Sequence, residues 1–158
     1  MNIEFRCLEP GESGEYRKIR LESLKKFPDF FSADYEESVK IDKLSIERDI
    51  ENKTSDKFIY GAFFNNQLIG IGVLVKNSMN VGNIYQMYIK PKFQGHNIGM
   101  KLLENIIIEA EKRFGKIELS LEVQSHNYKA KELYFKAGFR QVLERKETHC
   151  IVMAYKFV

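Results

Sequence analysis

KFQGHNIGMKLL, residues 92–103, joins a loop to the expected start of a helix. Gly95 and Gly99 lie at the junction, and apolar residues then recur at helical spacing as far as Phe114. The first turn of a helix has unpaired N–H groups and a partial positive charge, and glycine leaves room for a ligand beside the backbone. The stretch therefore predicts either a plain strand-to-helix turn or a site for an anion such as a pyrophosphate.

The patterns on either side of this stretch predict an α/β domain of the α+β type. Apolar alternation and short apolar runs predict strands at residues 3–8, 58–64, 68–76, 83–90, 117–123, 139–147 and 149–157. Helical spacing predicts helices at residues 15–27, 43–52, 98–114 and 127–137. The segment 27–35 is interpreted as an aromatic loop.

The connections between the strands indicate the kind of sheet. Asn65, Asn66 and Gln67 separate two strands, and asparagine tolerates the positive φ of a tight hairpin, so this pair should be antiparallel. The helix 98–114 lies between two strands that a crossover would make parallel. We therefore predict one domain over residues 1–158, with a mixed, mostly antiparallel central sheet of about seven strands and about four flanking helices.

The composition is that of a globular domain with no strong charge preference. The chain has 158 residues, of which 44% are hydrophobic and 30% charged, and its net charge is +3, which is too mild to argue for nucleic acid. Cys7 and Cys150 lie far apart and lack metal-ligand spacing, so a reducing compartment is favoured over a disulfide framework. The N-terminus has no apolar signal segment, and the longest aliphatic-rich run, residues 69–75, is too short to span a bilayer. We expect a cytoplasmic protein without nucleic-acid, membrane or metal partners.

A second stretch, NYKAKELYFKAGF at residues 127–139, changes the interpretation of the first. It fits the pattern N-x-x-A-x-x-L-Y-x-x-x-G-F at every specified position, and Gln94 and Gly99 open and close a pattern of the form [QR]-x-x-G-x-[GA]. Together, with the predicted order of elements, the two stretches resemble the GNAT superfamily of acetyl-CoA-dependent N-acetyltransferases. The family usually has glycine where this chain has Asn97, and asparagine tolerates unusual backbone angles well enough to keep the loop shape.

The resemblance implies the GNAT fold and a site for acetyl-CoA, whose pantetheine arm would lie in a slot between the strands 83–90 and 117–123. Backbone groups of Met87 and Ile89 would pair with that arm, and a backbone N–H at Met87 or Tyr88 would stabilise the developing oxyanion. The amides of the loop and of the helix start would bind the pyrophosphate. The residues expected to bind the cofactor are Met87, Tyr88, Ile89, Gln94, Gly95, His96, Asn97, Ile98, Gly99, Met100, Asn127 and Tyr134.

The resemblance also suggests which residues move protons. Tyr134 would lie near the thioester sulfur and act as general acid; outside this motif, a tyrosine on an apolar helix face would be interpreted as a core residue. Many family members carry a glutamate on the strand corresponding to residues 83–90, and this chain has none there. Glu122, on the polar face of an alternating strand, is the alternative base, and an ordered-water relay is the other possibility that we consider.

The predicted function is transfer of acetyl from acetyl-CoA to a primary amine by direct attack within a ternary complex. Phe30, Phe31, Tyr35 and Tyr85 are expected to line the acceptor site, although the loop aromatics would equally suit packing of the first helices on the sheet. The acceptor is a small amine or an amine of a peptide or protein, and a homodimer is an open alternative to a monomer. The competing hypothesis is a module that binds acyl-CoA without turnover, favoured by Asn97 and by the missing glutamate.

Overall fold

The computed structural model describes all 158 residues and contains one sheet. Its strands are β1 (Ile3–Cys7), β2 (Lys57–Phe64), β3 (Gln67–Lys76), β4 (Val81–Ile89), β5 (Glu118–Gln124), β6 (Arg140–Arg145) and β7 (Cys150–Tyr155). They lie in the order β1-β2-β3-β4-β5-β7-β6. Only β4 and β5 pair in parallel, and every other neighbouring pair is antiparallel. The predicted mixed, mostly antiparallel sheet is confirmed.

Five α-helices flank the sheet, one more than the sequence patterns predict. They are α1 (Ser13–Lys26), α2 (Tyr35–Val39), α3 (Ser45–Asn52), α4 (Ile98–Phe114) and α5 (Tyr128–Ala137). The additional helix, α2, follows the aromatic loop and is only five residues long. A side-chain cap stabilises it, because the carboxylate of Asp34 accepts a hydrogen bond from the backbone N–H of Glu37 at 2.9 Å. So short a helix shows no apolar periodicity, which is why the sequence does not predict it.

The helices cover both faces of the sheet and divide the core in two. On one face, α4 and α5 pack through residues such as Leu102 and Ile106 against Leu119 and Leu121 of β5. On the other face, α1 and α3 pack against the sheet around Tyr16 and other apolar side chains. Residues from both faces of the sheet are therefore buried, as alternation along the strands requires. No helix is long and apolar enough to cross a lipid bilayer.

The β2–β3 hairpin has the turn that its two asparagines predict. Asn65 and Asn66 have φ values of 50° and 64°, the left-handed pair that a two-residue type I′ turn requires. The turn pairs Phe64 with Gln67 and so starts the antiparallel pairing of β2 with β3.

Two irregularities of β4 open the sheet beside β5. β4 pairs with β5 only from Val81 to Ile84, so its second half has no partner on that side. Along its pairing with β3, β4 has a bulge with one extra residue between Tyr85 and Tyr88. Gln86, within the bulge, has a left-handed φ of 60°. The two strands therefore diverge toward their carboxyl ends and leave a gap in the middle of the sheet.

Candidate active site

The gap between β4 and β5 leads into a cavity of about 1010 Å³. Its walls are the second halves of both strands, the first turn of α4, one face of α5 and the loop that follows α1. The structure brings most of the predicted site residues to this cavity: Tyr85, Met87, Tyr88, Ile89, Gln94, Gly95, Asn97, Ile98, Gly99, Met100, Glu122, Asn127, Tyr134, Phe30 and Phe31. His96 and Tyr35, which the sequence also assigned to the site, do not border it.

The backbone at the start of α4 leaves amide groups free to bind an anion. Asn97 adopts the left-handed conformation, with φ 62° and ψ 17°, which asparagine tolerates better than most residues. No side chain caps the helix, and its first turn contains no acidic residue. Gln94 holds the loop to the end of β4, because its Nε2 donates a hydrogen bond to the carbonyl of Ile89 at 2.9 Å. The arrangement combines unpaired N–H donors, a helix dipole and no competing carboxylate.

Gly95, in the loop, and Gly99, in the first turn of α4, have different surroundings. Gly95 has a φ of 85°, and nothing lies within 4 Å of the position that a Cβ would occupy. At Gly99, a Cβ would lie 3.1 Å from Cδ1 of Leu133 on α5. Glycine at 99 thus lets α5 pack closely against the start of α4, and it also borders the cavity, where the sequence predicts room for a ligand.

Tyr134 lies on α5 at the inner wall of the cavity. Its side chain is 8% exposed, and its ring packs edge-on against Phe139 with centroids 6.1 Å apart. Burial raises the pKa of Tyr134 to about 12, because the ionised phenolate would lose its hydration. The hydroxyl is therefore protonated throughout the neutral range. Asn127 caps the start of the same helix by accepting a hydrogen bond from the N–H of Ala130 at 3.3 Å.

Glu122 borders the cavity from β5, on the strand face opposite Leu121 and Val123, as the alternation predicts. Its carboxylate accepts a hydrogen bond from Nε of Arg145 at 3.2 Å. Both side chains are about half exposed to solvent. The carboxylate thus lies at the solvent-exposed edge of the cavity, where an ion pair contributes little stability.

The side of the cavity that faces α1 contains polar contacts that the sequence did not predict. The Tyr16 hydroxyl donates a hydrogen bond to Oε1 of Gln86, in the β4 bulge, at 2.7 Å. The Tyr88 hydroxyl donates to the carboxylate of Glu22 at 2.7 Å, and burial raises the pKa of both tyrosines. These bonds tie β4, at the bulge and just after it, to α1.

The aromatic loop after α1 reaches across the cavity. The ring of Phe30 lies 5.5 Å from the ring of His126, in the loop between β5 and α5. Phe31 borders the cavity and contacts Arg20 on α1. Tyr35 instead lies near Lys25, outside the cavity. No group of three or more His, Cys, Asp or Glu side chains is arranged to hold a metal ion.

Comparison with known proteins identifies the family of this chain. The model of the acetyltransferase (GNAT) family matches residues 22–139, and the chain belongs to this family. The match confirms the predicted family, and with it the enzyme class and the acetyl-CoA co-substrate that define the family. A search of curated proteins finds no match.

Solved structures of similar fold cover nearly the whole chain. The PaiA N-acetyltransferase from Thermoplasma acidophilum, in complex with coenzyme A, is 26% identical with a TM-score of 0.82, covering 99% of this chain and 100% of that one. A GNAT acetyltransferase from Streptococcus pneumoniae is 23% identical with a TM-score of 0.80, at 99% and 100% coverage. Another from Staphylococcus aureus Mu50 is 17% identical with a TM-score of 0.76, at 98% and 99% coverage. The latter two show that the fold is shared.

Proposed function

We propose that this protein transfers an acetyl group from acetyl-CoA to a primary amine, with both substrates bound in the cavity at once. The observation that carries the proposal is the continuity of the gap. One open channel connects the uncapped start of α4, the unpaired edge of β4 and the side chain of Tyr134. Acetyl-CoA supplies the activated acetyl thioester, and the residues of this chain bind, orient and exchange protons.

The residues around the gap fit coenzyme A in two respects and leave room for the acceptor. The amides of residues 95–100 suit a pyrophosphate. On the side that faces β5, β4 has no partner strand from Tyr85 to Ile89. Its backbone groups on that side can therefore pair with an amide-containing arm, as they would with an added strand. The cavity continues past β4 toward α1, which leaves space for an amine on the far side of the thioester.

Backbone and side-chain donors along the gap suit the charge changes of acyl transfer. A backbone N–H at Met87 or Tyr88 would donate to the carbonyl oxygen as negative charge develops there. Tyr134 would donate a hydrogen bond to the leaving sulfur. A thiol has a pKa of about 8.5, so complete proton transfer from a tyrosine with a pKa of about 12 is uphill by roughly 5 kcal/mol. Tyr134 therefore acts mainly by sharing its proton with the sulfur.

Glu122 is the side chain best placed to take the proton of the amine, directly or through water. It is one of two acidic residues that border the cavity, and the other, Glu132, lies on α5. Its pairing with exposed Arg145 leaves one oxygen available to solvent or substrate. Many family members carry a glutamate base on the strand that corresponds to β4. At the corresponding positions this chain has Asn83, Tyr85 and Gln86, none of which is a carboxylate.

Glu122→Gln is expected to lower kcat/KM roughly 100-fold near pH 7 and progressively less as pH rises. At low pH few amine molecules are neutral without a base, and at high pH the neutral amine is supplied by solution. Kinetic pH profiles of the variant and the wild type test this. Glu118→Gln is the matched control, because Glu118 lies on the same strand, is paired with an exposed cation of its own, Lys156, and does not border the cavity. Parallel profiles for Glu122→Gln and the wild type would assign the base role to water.

The proposed activity is tested by thiol release from acetyl-CoA across a panel of amines. The panel contains polyamines, amino acids, aminoglycosides and peptides with free N-termini or lysine side chains. We expect release above the hydrolytic background for at least one class, with the acetylated amine identified by mass spectrometry. Tight coenzyme A binding without release for any amine would instead favour the non-catalytic acyl-CoA-binding module.

A further inference from the structure

Arg20, on α1, is a buried cation without a partner. Its side chain is 7% exposed, and Nη1 has no hydrogen-bond partner. No carboxylate forms an ion pair with it, and burial lowers the pKa of Arg20. The guanidinium does lie 5.1 Å from the ring centroid of Phe31. Such a contact offsets only part of the lost hydration of a buried cation.

An unpaired buried arginine requires an explanation. Arginine remains protonated in proteins, so it cannot relieve burial by losing its proton. Buried charges are normally paired with an opposite charge, because leaving one unpaired destabilises the fold. The other buried charged residue, Glu47, is paired with Arg17 at 2.8 Å. Arg20 is thus an exception within this chain, which points to an anion supplied from outside.

The position of Arg20 indicates which ligand would bring that anion. Arg20 borders the cavity and lies one helical turn after Tyr16, whose hydroxyl contacts the bulge residue Gln86. α1 packs on the sheet face opposite to α4. The phosphates of the acyl donor would lie at the start of α4, so Arg20 lies on the other side of the sheet from them. The anion would therefore belong to the amine acceptor.

We propose that Arg20 binds a carboxylate of the acceptor, and that the acceptor is a small amine that also carries a carboxylate group. This inference rests on the acetyl transfer proposed above. The planar guanidinium can donate two parallel N–H bonds to one carboxylate. Phe27, Phe30 and Phe31 border the same part of the cavity and would contact the apolar portion of such a molecule. A polycationic amine would meet like charge at this position.

Matched pairs of acceptors test the proposal. Thiol release is measured with α-, β- and γ-amino acids and with the carboxamide of each, and rates are compared per neutral amine because the carboxamide replaces the negative carboxylate by an uncharged group and also lowers the amine pKa. For at least one pair, wild-type kcat/KM should be at least 10-fold higher for the acid. Arg20→Met, an uncharged side chain of similar length, should abolish the preference by raising KM for the acid. Lys129→Met removes an exposed cation that borders the cavity on α5 and should preserve the preference.

Thermal melts distinguish a ligand-binding arginine from a structural one. Arg20→Met should melt no lower than the wild type without ligand, because it removes an uncompensated buried charge. A lower melting temperature together with an unchanged preference for acids would overturn the proposal. Equal rates for acids and carboxamides in the wild type would also overturn it, as would turnover restricted to amines that lack a carboxylate.

A binding experiment tests carboxylate recognition by Arg20 independently of acetyl transfer. N-acetyl amino acids and their carboxamides, the products of the same panel, are titrated calorimetrically into protein saturated with coenzyme A. The acid of at least one pair should bind at least 10-fold more tightly to the wild type than its carboxamide, and Arg20→Met should remove the difference. If no amine is acetylated but this difference is found, acetyl transfer fails and carboxylate binding by Arg20 stands. If no acid is preferred, carboxylate binding fails whatever the outcome for turnover.

Discussion

Tyr134→Phe is expected to lower kcat roughly 10²–10⁴-fold while leaving the affinity for coenzyme A nearly unchanged. The substitution keeps the ring that packs against Phe139 and deletes only the hydroxyl that would donate to the leaving sulfur. Steady-state kinetics and calorimetry with coenzyme A measure the two effects separately. Tyr128→Phe is the control, since Tyr128 lies on the same helix, is 73% exposed and does not border the cavity. A Tyr134→Phe enzyme at full speed would show that the thiolate leaves unaided.

The pH dependence of kcat gives a second test of Tyr134. Burial raises its pKa from 10.0 to about 12, so the protonated donor is retained as pH rises and is lost only in strong alkali. Wild-type kcat should therefore show no alkaline decline up to pH 10.0, the ordinary pKa of tyrosine. A decline centred near or below pH 9 that disappears in Tyr134→Phe would mean that the hydroxyl ionises far more easily than its burial implies.

Met100→Glu is expected to weaken coenzyme A binding roughly 100-fold. Met100 is in the first turn of α4 and borders the cavity, so a carboxylate there would lie near the bound pyrophosphate. Two like charges about 5 Å apart repel by roughly 3 kcal/mol at an effective dielectric constant of 20, which corresponds to that loss of affinity. The same carboxylate interacts favourably with the N-terminal helix dipole, so the free protein should melt no lower than the wild type.

Met100→Gln is the matched control for this experiment, because glutamine has the shape of glutamate without its charge. Its affinity for coenzyme A should stay close to that of the wild type, and the contrast between the two variants isolates electrostatics from packing. Equal affinities for Met100→Glu and Met100→Gln would show that the start of α4 does not hold the phosphates. Gly99 is a poorer position for the test, because any side chain there meets Leu133.

Sequence patterns predicted the features of the site that depend on local backbone chemistry. Asn65 and Asn66 form the left-handed turn expected of them, and Asn97 takes a left-handed conformation that asparagine tolerates. The apolar face of α4 and the alternation that turns Glu122 away from Leu121 also follow from residue periodicity alone. These features need no knowledge of what lies elsewhere in the chain.

The features that the sequence did not predict depend on contacts between distant segments. The sequence from Asn83 to Lys90 contains no signal for a bulge. The bulge at Gln86 depends on pairing with β3 and on the hydrogen bond to Tyr16, which both involve other segments of the chain. Tyr35 was assigned to the site by its place among loop aromatics, and α2 carries it away from the cavity. Arg20 did have a local signal, since it follows the buried Tyr16 by four residues and so shares its helix face.

The central claim, that the gap between β4 and β5 holds the acyl donor for transfer at Tyr134, is tested most directly by a crystal structure of the coenzyme A complex. We predict that the pantetheine arm hydrogen-bonds to the backbone of β4 between Tyr85 and Ile89. The pyrophosphate should accept hydrogen bonds from amides of residues 95–100, and the sulfur should lie within hydrogen-bonding distance of the Tyr134 hydroxyl. Coenzyme A bound elsewhere, or bound with its sulfur remote from Tyr134, would contradict the account.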